Sequence, residues 1–190
     1  MATVQHWKLL SSQLVLDCQW CTVRQNAIAL PDGTVIDDYF INVRPDIALV
    51  LPITPENELV LVRQYRHGVG EILLELPAGS FNQDEEDAQS AASRELQEET
   101  GYVAEELVRL ATLYDNPVKD TNKIHLFLAK NARKLAEQQL DITEAIEVVL
   151  MPVEAVMQRI LEGEICVSGT VAAILLGLHS AAYQQWTAAR

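Results

Sequence analysis

The chain has 190 residues, 49% of them hydrophobic and 22% charged, proportions that suit a soluble protein able to bury a proper core. A net charge of −13 argues against a nucleic-acid backbone as the main partner, because phosphates are repelled unless cations mediate. No stretch reaches the length of a membrane span, and the first residues lack a basic start with an apolar run behind it, so no membrane contact and a cytoplasmic location are expected.

Residues 1–43 carry β-type signals around Leu14–Leu16, Cys21–Leu30 and Thr34–Val43, with Pro31-Asp32-Gly33 as the turn of a hairpin. So small a sheet has little to pack against alone, and a second copy of the chain is one candidate cover. Trp7 and Trp20 are read as packing residues. Three cysteines cannot make a disulfide framework. Cys18 and Cys21 imitate a CxxC, but positions three apart on one strand face opposite sides, so the cysteines are read as ordinary buried or half-buried thiols.

From 44 onward the pattern is that of a second, larger domain, 44–190. Ile47–Ile53 is a continuous apolar run, as in a central strand buried on both faces. Thr54–Asn57 is a turn, Glu58–Tyr65 a returning strand, and Glu71–Leu76 a strand that leads into Pro77-Ala78-Gly79, read as a turn. A helix follows, capped by Asp84 or Asp87 and closed by Gly101. Ala88, Ala91, Ala92 and Leu96 recur at helical spacing and are assigned to the core. Glu95, Glu98 and Glu99 share another face. Three like charges there repel each other, but they are also an oxygen-rich ligand set for a hard divalent cation. Glu86 adds a carboxylate near the helix start, and Arg94 stands among the acids, placed to orient them.

Beyond the helix, Leu107–Tyr114 and Lys123–Ala129 read as strands joined through the turn Asp115-Asn116-Pro117, with His125 a packing residue. Residues 130–143 read as a polar, mobile connection. Val148–Met151 is the next strand, opened by Glu144-Ala145-Ile146-Glu147. Pro152 then starts a helix that runs to Gly163, and a single last helix spans Gly169–Trp186.

Gly79, Glu86, Arg94-Glu95-Leu96, Glu98-Glu99 and Gly101-Tyr102 resemble the signature of the Nudix hydrolases, Gly-x5-Glu-x7-Arg-Glu-U-x-Glu-Glu-x-Gly-U, where U is aliphatic or aromatic. The chain departs from it by one extra residue between Gly79 and Glu86, in the loop, which leaves the helix register intact and unsettles only the position of the loop carboxylate. Val62-Arg63-Gln64-Tyr65-Arg66 followed by Glu75-Leu76-Pro77-Ala78-Gly79 is similar to the ADP-ribose pyrophosphatase branch, as is the offset of Pro117 from Tyr102. Residues 118–122 lack the Pro-Gly and Ser-Asp-Glu types often found at that place in the branch.

The resemblance implies an α+β fold, an α/β/α sandwich with a mixed sheet between helices and a small N-terminal antiparallel sheet, in a homodimer paired through residues 1–43. It implies metal ligation by Glu95, Glu98, Glu99 and the Ala78 carbonyl, for Mg²⁺ or alternatively Mn²⁺, with Arg94 and Glu98 in supporting catalytic roles. Arg66, Glu75 and Pro117, the proline that marks the branch, are implied in substrate binding, with Arg44 a weaker candidate. A glutamate in the loop before the last strand is implied as general base: Glu144, or Glu147 as second choice. The reaction implied is hydrolysis of a nucleoside diphosphate sugar, foremost ADP-ribose to AMP and ribose 5-phosphate. Another ADP- or GDP-sugar, or a dinucleoside polyphosphate, is the alternative substrate. A sensor that binds ADP-ribose without cleaving it is the alternative of another class.

Overall fold

Branched and aromatic residues in short alternating runs build three antiparallel strands at the start of the chain: β1 (Lys8–Cys18), β2 (Cys21–Ala29) and β3 (Val35–Asn42). They belong to a computed structural model that describes residues 3–189. The β2–β3 turn falls where Pro31-Asp32-Gly33 predicts it. Gly33 takes φ +88°, a left-handed conformation, and its N–H donates to the Leu30 carbonyl at 3.0 Å.

The two N-terminal cysteines, expected buried or half-buried and on opposite faces of one strand, are both exposed. Gln19-Trp20 is the turn between β1 and β2, so Cys18 and Cys21 sit on different strands as direct partners in the ladder. Opposed residues of an antiparallel pair point to the same face of the sheet, not to opposite faces.

The chain divides into two units, and the first combines the residues up to Pro45 with Tyr114–Asn122. Within it, Asn42 donates to Asp120 at 2.8 Å and the Tyr39 hydroxyl donates to the Val118 carbonyl at 2.9 Å.

The second unit holds the large sheet. β4 (Asp46–Ile53) and β5 (Glu58–Arg66) are joined by a turn in which Asn57 adopts φ +64°. β6 (Glu71–Glu75) pairs with β5. Ala78–Phe81 is a strand, β7, not a turn: it pairs with β4, Ala78 opposite Leu49 and Gly79 opposite Ala48. After the loop comes α1 (Ala88–Thr100), whose N-cap is Asp87, accepting from the N–H groups of Gln89 and Ser90, and whose chain leaves through Gly101 at φ +75°. β8 (Tyr102–Val103), β9 (Glu106–Tyr114), β10 (Lys123–Lys130), β11 (Arg133–Lys134) and β12 (Ile146–Pro152) follow. The sheet order is β12-β5-β4-β10-β9, with β10 parallel to β4 and β12 antiparallel to β5. The two-residue strands β8 and β11 pair with each other, too short for any periodicity to signal them.

Alternation along β4 sends side chains to both faces of this sheet. Ala48 and Val50 pack with Ala91, Ala92 and Leu96 of α1; Leu49, Leu51 and Ile53 pack with Val156, Ala173 and Ile174 on the other side. The latter residues come from α2 (Val153–Leu161) and α3 (Ser168–Leu178), so the sheet lies between helices as expected. The single final helix does not form. It breaks into α3 and α4 (Ala181–Ala188), because Ser180 turns its hydroxyl into a cap that accepts from the Tyr183 N–H at 3.1 Å.

Candidate active site

Two backbone features aim the acidic side chains. The helical spacing of α1 puts Glu95 and Glu99 on the face turned inward, and both are buried although their side chains are ionisable, Glu99 at 3% exposure. Opposite them runs β7, where Gly79 lacks the Cβ that would overlap the Glu95 carboxylate. The signature glycine is therefore a strand residue that clears space for an acid, not a turn residue. The neighbouring Ala78 N–H donates to Glu99 Oε2 at 3.0 Å.

Arg94 gathers the rest. It pairs with Glu86 at 2.9 Å, Glu95 at 2.6 Å and Glu98 at 2.9 Å, and these carboxylates, Glu86 first, hold its guanidinium firmly charged. The extra loop residue leaves Glu86 within reach of Arg94. Arg66 forms a two-pronged bond to Glu75, Nε to Oε1 at 2.8 Å and Nη2 to Oε2 at 3.1 Å, which raises its pKa.

Burial pushes the Glu99 carboxyl up to about 8, and the charges of Glu95 and Glu144 add to the rise, while the Ala78 N–H and Arg66 oppose it. Glu95 is raised as well, chiefly by burial, with Arg94 opposing. Glu144 thus belongs to the same field, although it sits in the loop before β12, where its Oε2 accepts from the Asp141 N–H at 2.9 Å. Glu147 pairs with Arg63 at 2.8 Å and is exposed. Arg44 and Pro117 belong to the first unit. There Arg44 pairs with Asp115 at 3.0 Å and Asp120 at 3.1 Å, and Pro117 lies in a turn closed by the Asp120 N–H on the Asn116 carbonyl at 2.8 Å.

The side chains of Glu95, Glu98 and Glu99 offer oxygen alone, which fits a hard divalent cation, and such a cation would favour the ionised form that burial opposes at Glu99. Among the described residues no three acidic, histidine or cysteine side chains already converge on one point, because Arg94 takes up Glu95 and Glu98.

Sequence reasoning missed Gln138. Its Nε2 donates to the Glu99 carbonyl at 2.6 Å and the Ile146 carbonyl at 3.3 Å, and the Gln139 N–H donates to the Glu98 carbonyl at 2.8 Å. The expected polar connection of 130–143 is thereby tied to the end of α1, and the loop carrying Glu144 is tied with it. A glutamine in a polar run gives no signal of this.

His125 does pack, its ring edge-on to Phe81. Its Nε2 also bonds Asp46 at 2.8 Å.

Residues 43–165 match the family described as NUDIX domain, and residues 7–42 match the nucleoside diphosphate sugar hydrolase N-terminal domain. A Bacillus subtilis protein named ADP-ribose pyrophosphatase is 31% identical over 148 residues, 77% of this chain and 79% of that protein. A Bacillus methanolicus protein named methanol dehydrogenase activator is 30% identical over 168 residues, 88% of this chain and 90% of that protein. A solved structure described as an ADP compounds hydrolase aligns with a TM-score of 0.82 at 22% identity, over 100% of this chain and 98% of that one, which shows a shared fold. The family match runs across the acid-bearing helix, its arginine and the sheet on which they stand, and the chain belongs to the Nudix hydrolase family.

Proposed function

We propose that the protein hydrolyses the pyrophosphate bond of ADP-ribose to give AMP and ribose 5-phosphate, with Mg²⁺ held by Glu95, Glu98, Glu99 and the Ala78 carbonyl. The observation that carries this reading is the arrangement of acids on α1: Glu95 and Glu99 are buried, Glu99 takes the Ala78 N–H at 3.0 Å, and Arg94 gathers Glu86, Glu95 and Glu98 beside them. Mg²⁺ would supply positive charge to the diphosphate oxygens and acidity to the attacking water.

The remaining work falls to side chains. Arg94 keeps Glu95 and Glu98 from splaying apart. Arg66, oriented by its fork on Glu75, binds a phosphate oxygen and stabilises charge on the departing phosphate, a role its guanidinium suits. Glu144 accepts the proton of the water that attacks phosphorus, as the bond from that phosphorus to the bridging oxygen breaks. The relative named ADP-ribose pyrophosphatase and the match of residues 7–42 support a nucleotide sugar as substrate.

The apolar stretch of β1 between Leu9 and Leu16 exposes Leu9, Leu10, Leu14, Val15 and Leu16, which supports pairing of this stretch with a second copy of the chain in a homodimer. Among the described residues no helix is long and apolar enough to cross a membrane.

The test is a substrate panel of ADP-ribose, other ADP- and GDP-sugars and dinucleoside polyphosphates, ranked by kcat/KM with Mg²⁺ and with Mn²⁺. ADP-ribose should rank first and release AMP. A higher rank for another member would overturn the substrate, and calorimetric binding of ADP-ribose without AMP release would make the protein a sensor.

A further inference from the structure

Cys18 and Cys21 are direct cross-strand partners on the last rung of the β1–β2 hairpin. Directly opposed residues of an antiparallel pair stand about 4.5–5.5 Å apart at Cα, inside the roughly 4.4–6.8 Å that a disulfide spans. Both are free and exposed thiols. The Cys18 Sγ–H donates to the Cys21 carbonyl at 3.4 Å, so the first sulfur already lies over the partner residue. The rung beneath holds the register: Asp17 opposes Thr22, and the Thr22 hydroxyl donates to Asp17 Oδ1 at 3.1 Å. The hairpin tip thus presents two exposed cysteines on one face of the sheet.

We propose that Cys18 and Cys21 are a modification site that forms a reversible intramolecular disulfide by exchange with a small disulfide of the oxidised-glutathione class. One protein thiolate attacks a sulfur of the small disulfide, forming a mixed disulfide and expelling a small thiolate. The second protein thiolate then attacks the protein sulfur of the mixed disulfide, forms the Cys18–Cys21 bond and expels the other small thiolate. Two protein thiols are oxidised, one small disulfide is reduced to two thiols, and the two protons lost by the cysteines go to the departing thiolates. Cys166 is also exposed but has no cysteine opposite it, so its reaction stops at the mixed disulfide.

The experiment treats the whole protein with oxidised glutathione until Cys166 is modified, alkylates the remaining thiols under denaturing conditions and digests with trypsin. Cleavage after Lys8 and Arg24 leaves both cysteines on the peptide Leu9–Arg24 and Cys166 on another. The expected result is a Leu9–Arg24 peptide free of alkyl groups, lighter by two hydrogens than its reduced form and restored by dithiothreitol, beside a glutathionylated Cys166. In Cys21→Ser, Cys18 should instead retain glutathione. Glutathione on both Cys18 and Cys21 of one chain, a chain-to-chain bond through either, or two alkylated thiols at the point where Cys166 has reacted would each overturn the proposal.

Discussion

Glu99→Gln separates what the site costs the fold from what it does. The Glu99 carboxyl, 3% exposed, is raised from an ordinary 4.5 to about 8, first by burial and then by Glu95 and Glu144. A carboxyl with a higher pKa folded than unfolded binds more protons in the folded state between those two values. Stability therefore falls as pH rises through that window and levels off above about 8. At roughly 1.4 kcal/mol per pH unit the full penalty is on the order of 4–5 kcal/mol. Glutamine keeps an oxygen for the Ala78 N–H and carries no charge, but burying its amide takes back part of the gain, which leaves about 2–3 kcal/mol. For a domain of this size that corresponds to a melting temperature higher by about 5–10 °C in a chelator at pH above 8.

Scanning calorimetry with EDTA across pH 5 to pH 9 reads the effect. The variant should gain over the wild type as pH rises, the two should match at about pH 6, and the wild type should be the more stable by about 1 kcal/mol at the acid end. Mg²⁺ should raise the wild-type melting temperature more than the variant's, and the variant should lose orders of magnitude in kcat with its fold intact. A gap that does not change with pH, or a variant less stable than wild type above pH 8, would refute the assignment of a buried charge at Glu99.

Gly79→Ala places a methyl on the Glu95 carboxylate and should lower kcat by about a hundredfold, measured beside Gly68→Ala, whose new methyl meets open space and should change nothing. Arg66→Lys keeps the charge but loses the fork on Glu75, and kcat/KM for ADP-ribose should fall by at least about tenfold, as steady-state kinetics would show. Burial raises the Asp46 carboxyl, but bonds from His125, the Lys123 N–H and Gln83 outweigh it and hold the group below its usual 3.8. Its stabilisation is present above that value and is lost as pH falls through the lowered one. Asp46→Asn should therefore cost about 1–3 kcal/mol in urea unfolding at neutral pH, with the difference shrinking below about pH 4.

Periodic features of the chain are legible in its sequence. The apolar run at Ile47–Ile53, the turn at Asp32-Gly33 and the spacing of Ala91, Ala92 and Leu96 appear where local pattern puts them, because strand alternation, turn chemistry and helical pitch act over a few residues. The reach of Arg94 to Glu98 is likewise local, since residues four apart on a helix are neighbours. What depends on a partner far along the chain was not legible. Ala78–Phe81 is a strand only because Asp46–Leu49 stands beside it to accept the pairing, and two-residue strands such as β8 exist only as halves of a ladder. The final helix looked continuous because nothing in its composition says that the Ser180 hydroxyl turns inward to cap.

The amino-acid order by itself determined the family, the acid-bearing helix and the oxygen-rich character of the site, since these follow from residue type at fixed short spacing. Only the tertiary structure decided that Gly79 clears space for Glu95, that Gln138 ties the loop of Glu144 to the end of α1, and that burial opposes ionisation of Glu99. Burial and long-range pairing are properties of surfaces brought together, and no window of sequence contains both sides.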